Sequence, residues 1–333
     1  MPTIQEVADK AGVSPTTVSH VINKSRFVAD ETRQRVEAAM AELHYRPNAL
    51  ARSLRRGQTH TLGLILPDSS NPFFAEIAHS IEAAAFEQGY SVILCNTEDD
   101  LDKEDLYVDV LSKKQVDGMI FVAAGNQTGS LRALLRHKLP VVIVDRDLPE
   151  IEVDAVLTDN RQGGCLATQH LIALGHQRIS CIAGPSHLTP SAQRVIGYRE
   201  ALIEAGLPAD DDLIKRGDFH PESGYRAARL LLDRPNAPTA IFACNDLMAL
   251  GALRAASESG RQVPADLAIV GFDDIELASF TSPPLTTIAQ PKGDLGRLAV
   301  QWLLDHIADK SRPARRELLP TRLIVRGTCG GQA

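Results

Sequence analysis

The sequence predicts a small all-α front segment and a short hinge, followed by an α/β core built on two parallel sheets. Three observations predict this. Residues 1–46 carry three stretches in which apolar side chains recur at helical spacing. The run "YRPNALARSLRRGQTHT" then interrupts the pattern with a proline and clustered arginines. From residue 60 onward, short β-rich apolar runs alternate with amphipathic stretches, the rhythm of repeated βαβ units.

The first helix rests on Ile4, Val7, Ala8 and Ala11, with Thr3 as its cap and Gly12 as its stop. The second occupies "SPTTVSHVIN", residues 14–23. Ser14 can cap it, and Pro15 suits the first turn, where a missing N–H costs nothing. Val18, Val21 and Ile22 share one face, while Thr16, His20 and Asn23 fall at i, i+4 and i+7 on the other. Asn23–Phe27 reads as a loop, and Val36, Ala39, Met40 and Leu43 give the third helix its buried stripe. Two helices joined by a tight turn, the second with a polar outer face, make a helix-turn-helix headpiece over residues 1–46. Residues 47–59 form a hinge. Pro47 stops the preceding helix and Asn48 can cap a new one over Asn48–Arg56, too short to be stable in isolation. It is expected to order on a partner.

The core, residues 60–333, carries ten strand-like runs: "TLGLILP", "YSVILCNT", "VDGMIFVA", "PVVIVD", "DAVLTD", "RISCIAG", "AIFACND", "LAIVGFDD", "LTTIAQ" and "TRLIVRG". Helical stretches lie at 73–88, 103–115, 161–174, 192–205, 223–233, 246–258 and 293–308. Runs so uniformly apolar fit parallel sheets covered on both faces, and ten strands suggest two subdomains. Ligands of such sheets sit beyond the strands' carboxyl ends, where "LPDSSNPFF", "VDRD", "ACND" and "GFDD" place polar tails.

Charge separates the two parts. Residues 1–57 hold nine Lys/Arg against six Asp/Glu, while the remainder holds 26 against 36. Phosphate contact therefore belongs to the front segment. There Thr16 and His20 can reach base edges in a major groove, and Thr17, Ser19 and Asn23 can bond phosphates. A small bundle that binds another protein is the competing reading, which the adjacent arginine-rich hinge disfavours. Leu54, apolar between basic residues, can wedge into a base step through the minor groove, or pack against a partner hinge. The five cysteines show no C-x-x-C pair, and four lie in apolar runs, as reduced buried thiols do. The opening "MPTIQEVADK" lacks the apolar region of a signal peptide, and no apolar run approaches the ~20 residues of a membrane span. A cytoplasmic location is expected. His170, His176 and His306 show no ligand spacing, and no nucleotide-binding glycine motif occurs, so neither a metal nor a cofactor is expected.

The stretch from "TIQEVADKAGVSPTTVSHVINKSRFVADETRQRVEAAMAELHYRPNALARSLR" onward resembles the lactose-repressor (LacI/GalR) family of bacterial regulators. The resemblance continues through "GLILPDSSNPFF", "VDGMI", "GHQRISCIAG", "GYREAL", "NDLMALGAL", "GFDDIELASFTSPPLTTIAQPKGDLG" and "RLIVRGT". It implies a homodimer on a palindromic double-stranded operator, with paired hinge helices and Leu54 of each chain opening a central step. It also implies base readers at Pro15, Thr16, His20 and Arg55. Pro15 departs from the family pattern, since that position often carries a bonding side chain and proline offers only apolar contact. For the core the resemblance implies a periplasmic-binding-protein-like pair of lobes linked by three crossovers, with a ligand in the cleft. Lobe one would take about 60–160 and 291–321, lobe two about 161–290 and 322–333.

Within the family, "SHVINKSRFVADETR", "CNTED", "LATQHLI" and "FDDIELASF" look most like ribose-responsive repressors. A pentose needs planar donors and acceptors for vicinal hydroxyls and aromatic faces for its C–H surfaces. The polar tails and nearby loops supply Asn71, Phe73, Phe74, Asp145, Arg146, Arg194, Phe219, Asn245, Phe272, Asp273 and Gln290. These positions resemble the constellation of periplasmic ribose receptors. The expected function is therefore a repressor of a sugar-utilisation operon, released from its operator by D-ribose. A purine-corepressed regulator is the alternative, because "GDFHPESGYRA" resembles that branch and Phe73, Phe74, Arg194 and Asp273 also suit a purine. An enzyme using Asp145 and Asp273 as an acid/base pair is a third reading, disfavoured because no nucleophile–base pair is visible. Without a leucine-heptad tail after "RGTCGGQA", a dimer is expected rather than a tetramer.

Overall fold

A computed structural model describes residues 2–23, 25–45, 58–125, 128–136 and 138–331. It divides into two compact units, residues up to Thr59 and His60–Ala333.

The first unit holds α1 (Ile4–Ala11), α2 (Pro15–Asn23) and α3 (Asp30–Glu42). Thr3 and Glu6 form a reciprocal capping box: the Thr3 hydroxyl accepts from Glu6 N, and the Glu6 carboxylate accepts from Thr3 N at 2.6 Å. Gly12 ends α1 in the left-handed region, φ 64°, where a side chain would be strained. Ser14 Oγ accepts from Thr17 N at 3.1 Å and starts α2. Val7, Ala8, Ala11, Val18, Val36 and Ala39 make the core, with Ile4, Val21, Ile22, Met40 and Leu43 packed around it. The expected hinge helix over Asn48–Arg56, with Leu54 and Arg55, lies outside the described residues.

The second unit begins with β1 (Thr61–Leu66), α4 (Pro72–Glu87), β2 (Ser91–Asn96), α5 (Leu101–Lys113), β3 (Gly118–Phe121), α6 (Gly129–Arg136), β4 (Val141–Val144) and β5 (Asp154–Thr158). It continues with α7 (Asn160–Ala173), β6 (Ile179–Ala183), α8 (Thr189–Glu204), β7 (Ile214–Arg216), α9 (Pro221–Leu232), β8 (Ala240–Ala243), α10 (Asp246–Glu258), β9 (Ala268–Asp273) and β10 (Thr286–Ala289). It closes with α11 (Lys292–Ala308), β11 (Arg316–Leu319) and β12 (Arg322–Ile324). One sheet runs β11-β5-β4-β3-β1-β2 and is parallel throughout. The other runs β12-β10-β9-β8-β6-β7, with only β12 antiparallel. The chain passes between sheets after β5, after β10 and after β11. Thus α11 packs on the first sheet although it follows the second in sequence.

Central strands β3, β4, β5, β6, β8, β9 and β10 are buried along their whole length, which explains their continuous apolar sequences. The ten runs singled out by sequence all contain strands. Two further edge strands, β7 and β11, were not among them. At three and four residues, mostly exposed or half-buried, they have no apolar signature. The helix α6 was likewise not anticipated. Among the described residues no helix is long and apolar enough to cross a membrane.

Helices α7 and α8 meet at backbone distance. A Cβ on Gly164 would lie 2.2 Å from the Arg194 carbonyl oxygen, and one on Gly197 would lie 2.0 Å from that of Arg161. This close approach anchors the Arg194 backbone from which its side chain enters the cleft.

Candidate functional site

The carboxyl ends of the two sheets face each other across a narrow cleft. Lobe one contributes Asn71, Phe73 and Phe74 from the start of α4, and Asp145 and Arg146 from the turn after β4. Lobe two contributes Leu188 and Pro190 before and within α8, Arg194 from α8, Phe219 before α9, Asn245 capping α10, and Asp273 at the end of β9. Asp145, Phe219 and Asp273 all have positive φ, at 66°, 70° and 114°. Non-glycine residues are rarely held there, and such strain gathers at functional sites.

Local folding rules put each group in place. Asn71 caps α4, its Oδ1 accepting from Phe73 N at 3.0 Å, which sets Phe73 and Phe74 edge to face with centroids 5.1 Å apart. Asn245 caps α10 by accepting from Met248 N at 2.9 Å, and its Nδ2 donates to the Phe219 carbonyl at 2.9 Å. Gly184 leaves room for Phe219, since a Cβ there would lie 2.3 Å from the ring.

The two arginines are held rigidly. Arg146 Nη1 donates to Asp99 Oδ1 at 2.7 Å and to the carbonyls of Ala123 and Ala124 at 2.7 and 3.1 Å. Arg194 Nε donates to Asn160 Oδ1 at 2.7 Å, and its Nη1 donates to the Cys244 carbonyl. Its guanidinium carbon stacks 3.7 Å from the centroid of Phe272, and Nη1 lies 3.6 Å from Asp273 Oδ1.

The two carboxylates differ in how they are satisfied. Asp145 is 4 % exposed, and among the described residues its side chain accepts no hydrogen bond, leaving Oδ1 an orphan. Burial pushes its carboxyl above the usual range, against the pull of Arg194 and Arg146. Asp273 accepts from Gln290 Nε2 at 2.7 Å. Burial pushes it up to about 7, while Arg194, Gln290 and Lys292 oppose the shift and Asp145 adds to it. Behind it, buried Asp246 is also pushed up by burial, although Thr287 Oγ1 and Ile275 N donate to it. Asp145 Oδ1 and Gln290 Oε1 are both buried without a hydrogen-bond partner among the described residues, and each can accept from a hydroxyl or an amine.

Nine of the eleven expected residues line the cavity; Phe272 and Gln290 do not. Phe272 is wholly buried as the platform under Arg194, and Gln290 reaches the site through Asp273. Sequence reading missed Leu188 and Pro190, which line the cavity, and Asn160, which orients Arg194. None carries a signal of its own, since each matters only because the fold brings α8 to the cleft. Among the described residues no group of three or more metal-ligating side chains occurs.

On the front unit, Thr16 is exposed and Pro15, Thr17, Ser19, His20 and Asn23 are partly exposed along α2. His20 Nδ1 pairs with Ser25 Oγ at 2.8 Å, which orients the ring. Asn23 Nδ2 donates to the Ser19 carbonyl at 2.8 Å, and the Ser14 and Thr17 hydroxyls lie 3.0 Å apart.

Comparison with known proteins follows the same division. The family described as "Periplasmic binding proteins and sugar binding domain of LacI family" matches residues 59–326, and "Bacterial regulatory proteins, lacI family" matches residues 3–48. The chain is 44 % identical over 329 residues to the ribose operon repressor of Escherichia coli strain K12, covering 98 % of this chain and all of that protein. It is 43 % identical to the transcriptional repressor PurR of Aliivibrio salmonicida, covering 95 % of each. The lac repressor dimer bound to operator and the anti-inducer ONPF superposes with a TM-score of 0.89 at 32 % identity, covering 98 % of this chain and 99 % of that one. A LacI family regulator from Enterococcus faecium with bound ribose gives 0.74 at 32 % identity, covering 80 % and 98 %. With both family signatures in order along nearly its whole length, this chain belongs to the LacI family and is a DNA-binding transcriptional repressor rather than an enzyme.

Proposed function

We propose that this repressor is a homodimer that senses D-ribose in the cleft of its core and releases a palindromic operator when the sugar binds. The observation that carries the ligand assignment is Asp145: a buried carboxylate without a hydrogen bond among the described residues, in a cleft that it shares with two arginines and a pair of phenylalanines. Vicinal hydroxyls are the donors such a group lacks, and aromatic faces suit the C–H surface of a furanose or pyranose ring. Likeness to a ribose operon repressor and to a ribose-bound relative supports the choice of sugar. In this reading residues 1–46 grip the major groove, with Thr16 and His20 at base edges and Thr17, Ser19 and Asn23 on phosphates. Residues 47–59, with Leu54 and Arg55, act in the minor groove, and 60–333 sense the ligand and dimerise. The protein works in the cytoplasm, where its DNA is.

A purine corepressor is the second reading, favoured by the PurR likeness and by the Phe73–Phe74 pair. The signs of the two responses are opposite. Fluorescence anisotropy of an operator duplex from the protein's own upstream region separates them, titrated with protein alone, with ribose, and with hypoxanthine. Ribose is expected to weaken operator binding by tenfold or more, within the usual range of allosteric coupling. Unchanged affinity with ribose, or tightening by hypoxanthine, overturns the assignment.

A further inference from the structure

A second cavity of about 330 Å³ adjoins the first and shares Asp145 with it. It lies where β5 crosses into α7, and it is walled by Thr158, Asp159, Thr189 and Gln193. The wall between the two cavities is the N-terminus of α8. Leu188 and Pro190 face the first cavity and Thr189 the second, with the Thr189 hydroxyl donating to the Asp147 carbonyl of the opposite lobe at 3.2 Å. Thr158 is 2 % exposed, and its Oγ1 finds no hydrogen-bond partner among the described residues. Two buried orphan polar atoms, Asp145 Oδ1 and Thr158 Oγ1, thus belong to residues lining one space. A buried hydroxyl without a partner costs stability unless something outside the fold satisfies it.

The charges around this space define what fits. Asp145, Asp147 and Asp159 bring three carboxylates. The cations nearby are already engaged, Arg161 by both oxygens of Glu200 and Arg316 by Asp147. Among the described residues lining this space no cation is left over to hold an anion, so a phosphate is disfavoured and a neutral hydroxyl or an amine is favoured.

We infer that this second cavity is an extension subsite, through which a pentose bearing a neutral or cationic hydrogen-bonding substituent binds more tightly than ribose itself. The inference rests on the pentose reading of the first cavity. The sugar ring occupies the first cavity and bonds Asp145; the substituent extends past Asp145, which lines both cavities, and exchanges hydrogen bonds with Thr158 Oγ1 and Gln193. One or two such bonds strengthen binding about tenfold over ribose.

Calorimetry on the full-length protein tests this with D-ribose, its 2-hydroxyethyl and 2-aminoethyl glycosides, 5-O-(2-hydroxyethyl)ribose and ribose 5-phosphate. At least one neutral or cationic extension is expected to bind about tenfold tighter than ribose, and the phosphate more weakly. Thr158→Val is expected to erase the gain and leave ribose affinity within twofold, while Thr158→Ser retains the gain. Should Thr158→Val fail to fold, Gln193→Leu must reduce the same gain. If ribose binds and every extended sugar binds equally or less tightly, or if the gain survives Thr158→Val, the subsite holds only water and the inference falls. If no sugar in the set binds, the pentose reading falls and takes the subsite with it.

Discussion

Replacing Asp145 by asparagine keeps the side chain's shape and removes its charge. The carboxylate is 4 % exposed and unbonded among the described residues, so the fold gains nothing from its ionisation. A bound sugar would supply two donors. Charge-assisted hydrogen bonds contribute about 2 kcal/mol each against about 1 kcal/mol for neutral ones. Asparagine therefore sacrifices about 2 kcal/mol of binding, or about 30-fold in Kd. Stability moves the other way, because a buried unpaired charge costs more than a buried amide. Because burial raises the carboxyl's folded pKa, the native protein holds it neutral at low pH. Its penalty develops as pH climbs from the ordinary aspartate range through the raised value. The variant's advantage in urea unfolding of the sugar-free protein is accordingly absent near pH 4 and present at pH 8. Calorimetry with ribose and urea titrations at both pH values give the two readouts. Ribose affinity within threefold of the parent at pH 8, or a variant less stable than the parent at pH 8, refutes the assignment of Asp145 as a ligand carboxylate.

Asp273 sits near a pKa of about 7 in the sugar-free protein, and a sugar hydroxyl prefers its ionised form, so ribose affinity should rise with pH and level off above it. From pH 6 to pH 8 the ionised fraction grows from about one tenth to about nine tenths, roughly a tenfold gain in affinity that Asp273→Asn should remove. Affinity flat across that interval in the parent protein counts against it. Gly184→Ala places a methyl against the Phe219 ring and should weaken ribose binding by about 1–3 kcal/mol without altering sugar-free operator affinity, measured by calorimetry and anisotropy. Gly197→Ala pushes α8 off the Arg161 carbonyl and should lower the thermal midpoint of the core, with a cost of about 1–3 kcal/mol by urea titration. Thr16→Ala and His20→Ala should each cost about 1–3 kcal/mol on the specific operator and little on unrelated DNA, read by competition at fixed salt.

Much of this protein is local physics and was legible in order along the chain. Thr3 with Glu6, Gly12, and Ser14 with Pro15 mark helix ends through bonds spanning three or four residues, and those ends lie where the letters place them. Uniformly apolar runs mark central strands because both faces of each sheet are covered. Asn71, Asp145, Asn245 and Asp273 stood out because polar residues at strand ends or helix starts interrupt such runs, and the cavity gathers all four. Other features exist only through long-range pairing. β7 and β11 are strands because a neighbour offers them an edge, not because their own residues favour one. Asn160 matters because α7 and α8 touch at Gly164 and Gly197, which brings Arg194 Nε to it. Whether Phe272 faces ligand or supports an arginine depends on which side of β9 the guanidinium lies. Sequence periodicity reports what each residue wants from its surroundings; only the packed fold decides which surroundings, and which other residues, it meets.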